Sequence, residues 1–230
     1  MSFGGRVSVL VALFIVAVGF VLWGVFGFLL AGSVPTVDFT SAQPAGAPVD
    51  LTVQTVGAIG NGFGDHPTWV SYLVKDPQGQ WIHSTIWKVP AHTRINLTVE
   101  QYDSGSPLRN QQWGLVQGTI GGVATYNGKV FFRAYNSNTG NGVGHTFAIP
   151  TLGINIPLIG VSPNATNVCG QAPCSAPSSA QNIIKASFVT PGPGEYPWQC
   201  FVPCGLGFLF GNGGPMSTVG YMGGFLDVVS

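Results

Sequence analysis

Residues 191–229 read PGPGEYPWQCFVPCGLGFLFGNGGPMSTVGYMGGFLDVV. Two cysteines, Cys200 and Cys204, stand between the strand-like PGEYPWQC and a glycine-rich turn, and the segment closes on the apolar run Gly223–Val229. Thiols this close, at the end of a short loop, are able either to pair as a disulfide or to ligate a metal. The other cysteine pair has different company. Cys169 and Cys174 lie in the polar, proline-containing stretch NATNVCGQAPCSAPSSAQ, with no histidine nearby. That context reads as a loop-closing disulfide rather than a metal site.

Working outward, short β-type runs recur between turn signals from Asp50 onward: DLTVQTV, TWVSYLV, WIHSTIWKV, RINLTVEQY, GKVFFRAY, HTFAIP, NIIKASFV and GGFLDVV. Ile95, Leu97 and Val99 alternate along RINLTVEQY, as a half-buried strand requires. No helix-period stretch interrupts these runs, so the expectation over residues 50–230 is an all-β domain, an antiparallel β-sandwich, with inserts around 104–143 and 160–182. Residues 32–49 are rich in Pro, Ala, Ser and Thr and read as a linker. Upstream, residues 7–31 form an uncharged apolar run that is long enough to cross a hydrocarbon core of about 30 Å. Residues 1–31 are therefore expected to be a short cytoplasmic N-terminus and a transmembrane helix, since this run exceeds the apolar core of a cleaved signal peptide. Arg6 before the run and Asp38 as the first charge after it place the following domain on the extracytoplasmic side of a cell membrane.

The cysteine segment resembles the copper-binding end of the cupredoxin domain in subunit II of haem-copper oxidases. In that family a PGEY-type turn leads into C-x-x-x-C-G-x-x-H-x-x-M and a closing apolar strand. Here Pro193, Gly194, Glu195, Tyr196, Cys200, Cys204 and Gly205 follow that pattern, and Met222, set further along by the loop LFGNGGPMSTVGY, stands before the closing strand in the methionine's place. The family's upstream histidine segment is matched by His145-Thr146-Phe147-Ala148-Ile149-Pro150, and Trp87-Lys88-Val89-Pro90 before RINLTV fits the preceding strands. The resemblance implies a cupredoxin-like Greek-key β-sandwich and a copper cofactor held by His145, Cys200, Cys204 and Met222. Soft thiolates with an imidazole and a thioether stabilise Cu(I) without forbidding Cu(II). One departure matters. Phe208 occupies the place of the family's second histidine, which argues against an ordinary binuclear centre and leaves a set fit for one copper. His66, His83 and His92 read as structural.

Charged residues make up 7% of the chain, with eight basic and eight acidic side chains and no Lys/Arg cluster, so nucleic acid is not an expected partner. Phosphate-loop, nucleophile-elbow and HExxH motifs are missing, which argues against an autonomous enzyme. The resemblance implies copper-mediated electron transfer from an external electron donor to the subunits of an integral-membrane redox complex. A metal-free structural or assembly subunit and a copper delivery protein remain open alternatives.

Overall fold

The computed structural model describes residues 3–31, 34–41, 44, 46–64, 66–134, 142–205, 213–216 and 218–230. It divides into two compact units, Met1–Val34 and Pro35–Ser230. The first contains a single helix, α1 (Phe3–Ala31). Its described side chains, residues 11–25, are all exposed, among them Phe14, Phe20 and Trp23. Among the described residues no helix is long and apolar enough to cross a membrane.

Among the described residues the second unit has thirteen strands: β1 (Thr36–Asp38), β2 (Val49–Val56), β3 (Ser71–Lys75), β4 (Trp81–Ile82), β5 (Ile86–Pro90), β6 (Arg94–Gln101), β7 (Ala124–Tyr126), β8 (Lys129–Phe131), β9 (Val143–Ile149), β10 (Ile154–Ile159), β11 (Asn182–Val189), β12 (Gly194–Gln199) and β13 (Gly223–Val229). They form two sheets, ordered β1-β5-β13-β12-β9-β10 and β4-β3-β2-β6-β11-β7-β8. Three short 3₁₀ turns complete the described elements: η1 (Gln111–Gly114), η2 (Ile120–Gly122) and η3 (Pro150–Leu152).

The alternation read from the sequence sets which face is buried. Ile95, Leu97 and Val99 of β6 point inward, as do Ile184, Ala186 and Phe188 of the neighbouring β11. Strands β9 and most of β10 are buried on both faces. Part of the insert reaches β10, since Gln117 bridges Asn155. An aromatic cluster joins the sheets: Trp87, Trp198 and Phe147 from the first meet Tyr72 and Phe188 from the second. Trp87 stacks on Trp198 at 4.8 Å, and Tyr72 meets Trp198 edge-on at 5.0 Å. Both indoles are satisfied inside the core, Trp87 Nε1 donating to Ser84 O and Trp198 Nε1 to Thr85 O, as buried tryptophans require.

Three expectations are corrected. The sandwich is mixed rather than antiparallel, because β1 with β5, β5 with β13, and β2 with β6 pair in parallel. Within residues 32–49, expected to be a linker, Thr36–Asp38 instead form the edge strand β1, and Val37 and the following Phe39 are buried in the core. Val37 and Phe39, on either side of the exposed Asp38, anchor this short stretch against β5, where Phe39 N–H also donates to Lys88 O at 2.8 Å. WIHSTIWKV is not one strand but two, β4 in one sheet and β5 in the other. Its middle residues make the corner: Ser84 Oγ donates to Pro35 O, and Thr85 Oγ1 accepts from Gly220 N–H at 2.8 Å. Such corners are how strands change sheets in packed β-structures.

The disulfide between Cys169 and Cys174 is formed, with Cα atoms 6.0 Å apart, and Cys174 is buried in a small second cluster with Val56, Ile59 and Leu73.

If the aromatic cluster carries the sandwich, Trp198→Ala should lower unfolding free energy by about 3–5 kcal/mol in urea titrations, whereas Val130→Ala, on an exposed edge, should change it by less than about 0.5 kcal/mol. Equal effects would place the core elsewhere.

Candidate metal centre

His145 sits within β9, opposite Leu158 of β10, and β9 is also bonded to β12 where Gln199 pairs with Ala148. Cys200 directly follows β12, and its N–H donates to Met222 O at 2.8 Å, just before β13. Lateral pairing thus brings together groups that lie far apart along the chain. His145 Nδ1 is 3.0 Å from Cys204 Sγ and 3.9 Å from Cys200 Sγ, and the two sulfurs are 3.4 Å apart. All three side chains are buried, and among the described residues they form a group able to hold a metal ion. Trigonal ligation at metal–sulfur and metal–nitrogen lengths of about 2.0–2.3 Å needs donor separations of roughly 3.8–4.0 Å. The observed triangle would have to open by less than about 1 Å along any edge. Copper fits the donor set, since two thiols and one imidazole are soft to borderline ligands.

The other nitrogen of His145 is occupied. Nε2 lies 3.0 Å from the Asp103 carboxylate, which fixes the ring with Nδ1 toward the sulfurs. Asp103 reaches this place through a close backbone approach. Residues 104–106 run against Gly142, Gly144 and Gly160, and a Cβ on Gly105 would collide with the carbonyl of Gly142. Glycine is required there because any side chain would force the two backbones apart.

Sulfur contacts complete the network. Thr146 N–H donates to Cys200 Sγ at 3.4 Å, and Cys204 Sγ lies 3.0 Å from Val202 O. Burial pulls the His145 pKa down, but the Asp103 carboxylate and the Cys200 sulfur more than offset this and raise it to about 9. Burial likewise works against ionising Cys200, yet hydrogen bonds from Cys204 and His145 bring its pKa well below the ordinary thiol value. Cys204 moves the opposite way, raised first by its hydrogen bond to Cys200 and then by burial. The two sulfurs are thus driven apart, Cys200 toward its ionised form and Cys204 toward its protonated one. A thiolate is the form that binds metal.

A cleft of about 650 Å³ opens beside the cluster, lined by Asp103, His145, Cys204, Trp69, Val70 and Pro215, among others. Met222 is fully buried in the main core and joined to Cys200 through its backbone. Met216 is buried there too. The histidines read as structural are found in such roles: His66 stacks on Trp69 at 3.7 Å, His83 Nε2 is 3.0 Å from Ser71 Oγ, and His92 occupies a turn with φ 51°. Phe208 lies outside the described residues. Asp103 was not legible as a site residue, although a carboxylate just past a strand-like run in a chain with eight acidic residues is a usable signal.

No protein-family model and no curated protein matches the chain. Among solved structures it is similar to the copper protein rusticyanin, at 16% identity and TM-score 0.31, with 86% of each chain covered. Reduced rusticyanin is similar at 16% identity and TM-score 0.30, covering 86% of this chain and 88% of that one. Rusticyanin from Thiobacillus ferrooxidans is similar at 16% identity and TM-score 0.30, covering 86% of each. The chain is a mostly β-sheet protein with a buried His/Cys/Cys group consistent with copper. Its narrower likeness to oxidase subunit II rests on the sequence motif alone.

In reduced, metal-free protein, the His145 imidazole should titrate near pH 9 by NMR, and Asp103→Asn should bring it down toward the ordinary value. With the pKa raised above 6.5, the stabilisation from protonated His145 is complete below about pH 6.5 and is lost as pH rises through about 9. A His145 signal unchanged by Asp103→Asn would contradict the pairing.

Proposed function

We propose that this chain is a membrane-anchored cupredoxin, an oxidase-subunit-II-like component that passes electrons through copper to an integral-membrane redox complex. The observation that carries the reading is the buried triangle of His145 Nδ1, Cys200 Sγ and Cys204 Sγ. Copper bound there supplies a one-electron couple between Cu(I) and Cu(II). His145, Cys200 and Cys204 would hold it, with Met222 as the thioether donor.

The chain's own residues set the conditions. Asp103 holds the imidazole in one orientation and keeps a proton on Nε2, leaving Nδ1 for the metal. Thr146 N–H places positive hydrogen-bond character on Cys200 Sγ, which tempers thiolate donation. β9 and β12 belong to one sheet, so their separation changes little with the charge at the site. Small rearrangement between oxidation states is what rapid electron transfer requires.

Anchoring through α1 is supported by the apolar, exposed residues 11–25 and by the uncharged sequence from 7 to 31. An extracytoplasmic position for Pro35–Ser230 follows from the charge asymmetry and suits the Cys169–Cys174 disulfide. An external donor would deliver electrons to that face. A metal-free structural subunit is the second reading, because the thiols, imidazole and carboxylate already satisfy one another without a metal.

Full-length protein extracted in detergent, reduced and loaded with copper should bind it stoichiometrically, show strong thiolate-to-copper absorption, and cycle reversibly between oxidation states. Cys204→Ser should abolish the absorption and weaken copper binding by at least about tenfold. Protein that stays colourless and copper-free, with Cys200 and Cys204 oxidised to a disulfide, would overturn the electron-transfer reading in favour of the structural one.

A further inference from the structure

The insert that follows Asp103 touches the cysteine turn directly. Trp113 of η1 lies flat on Phe201, with ring centroids 4.0 Å apart and planes inclined by 6°. Phe201 is the residue after Cys200, and its N–H donates to Thr146 Oγ1 at 2.8 Å. Thr146 N–H in turn donates to Cys200 Sγ. The cysteine turn is therefore held from two sides, by the backbone of β9 and by an indole from the insert.

The indole is itself firmly placed. Asn110 Oδ1 accepts from Gln112 N–H and caps η1. The carbonyls of Trp113 and Leu115 accept from Asn155 Nδ2 at 3.2 and 2.6 Å. Gln117 and Asn155 exchange both of their backbone hydrogen bonds, at 2.9 and 3.1 Å. A further tie runs from Ala134 N–H to Gly114 O at 2.7 Å. Asn155 pairs with Ala148 of β9, the strand that carries His145. One strand pair thus supports both the imidazole and the tryptophan.

We propose that Trp113 is a positioning residue that clamps the Cys200–Cys204 turn onto β9, holding the sulfurs in their ligand geometry before any metal arrives and keeping solvent from Cys200. Residues 200–205 belong to no strand. A turn without ladder hydrogen bonds opens locally unless side chains hold it. An aromatic stack between two rings with few rotatable bonds does this at low entropic cost. The effect on copper rests on reading Cys200 and Cys204 as ligands; the effect on the thiols does not.

The test compares iodoacetamide alkylation of Cys200, read by mass spectrometry, in full-length, reduced, metal-free protein and its variants. Trp113→Ala and Phe201→Ala should each raise the rate by roughly twofold to tenfold, the change expected from losing one aromatic stack in a local opening equilibrium. Trp113→Phe should restore most of the protection, and the double alanine variant should react no faster than the faster single one. Hydrogen exchange of β11 amides reports global unfolding in the same samples. An unchanged Cys200 rate, fully multiplicative effects in the double variant, or a rise that merely tracks global unfolding would overturn the clamp. Copper release from loaded protein should accelerate in the same variants. Wild-type protein that binds no copper would remove the copper reading and leave the thiol result to decide the clamp.

Discussion

Two thiols and an imidazole buried away from water, with a half-buried carboxylate beside them, must satisfy one another, because an unpaired buried polar group costs about as much as a typical point mutation can remove. This constraint organises the site. His145 uses both ring nitrogens, one toward Asp103 and one toward the sulfurs. Cys200 and Cys204 accept and donate among His145, Thr146 and Val202. Asp103 can take part only because glycines at 105, 142 and 160 allow backbones to touch. The insert and the cysteine turn are linked to the same strands. Local chemistry and sheet topology therefore depend on each other.

The aromatic cluster has a different task. Trp87, Trp198, Phe147 and Tyr72 pack the two sheets face to face. Tyr72 connects the two regions: it packs edge-on against Trp198, faces His145, and donates its hydroxyl proton to Thr146 O at 3.1 Å. Burial keeps that phenol neutral, and the nearby cysteine sulfurs add to the effect.

Much of this was legible in the sequence, for identifiable reasons. NIIKASFV and GGFLDVV coincide with β11 and β13, because alternating apolar residues between turn signals define a half-buried strand. The meeting of His145 with Cys200 and Cys204 was legible through motif resemblance, not periodicity. What stayed hidden depends on long-range geometry. β1 is too short to carry a pattern, the sheet change at Ser84 and Thr85 depends on partners elsewhere, and the parallel pairs depend on chain order. Asp103 and Trp113 lie 42 and 32 residues before His145 in sequence, by subtraction of their numbers. Only folding brings the first to the imidazole and the second to the cysteine turn.

The central claim, that the buried sulfurs and imidazole are metal ligands, is tested most directly by X-ray absorption at the copper edge on copper-loaded full-length protein. The account predicts sulfur scatterers at thiolate distance together with an imidazole, and loss of the sulfur shell when Cys200 and Cys204 are both replaced by serine. A shell of oxygen and nitrogen alone, the same in both proteins, would contradict it.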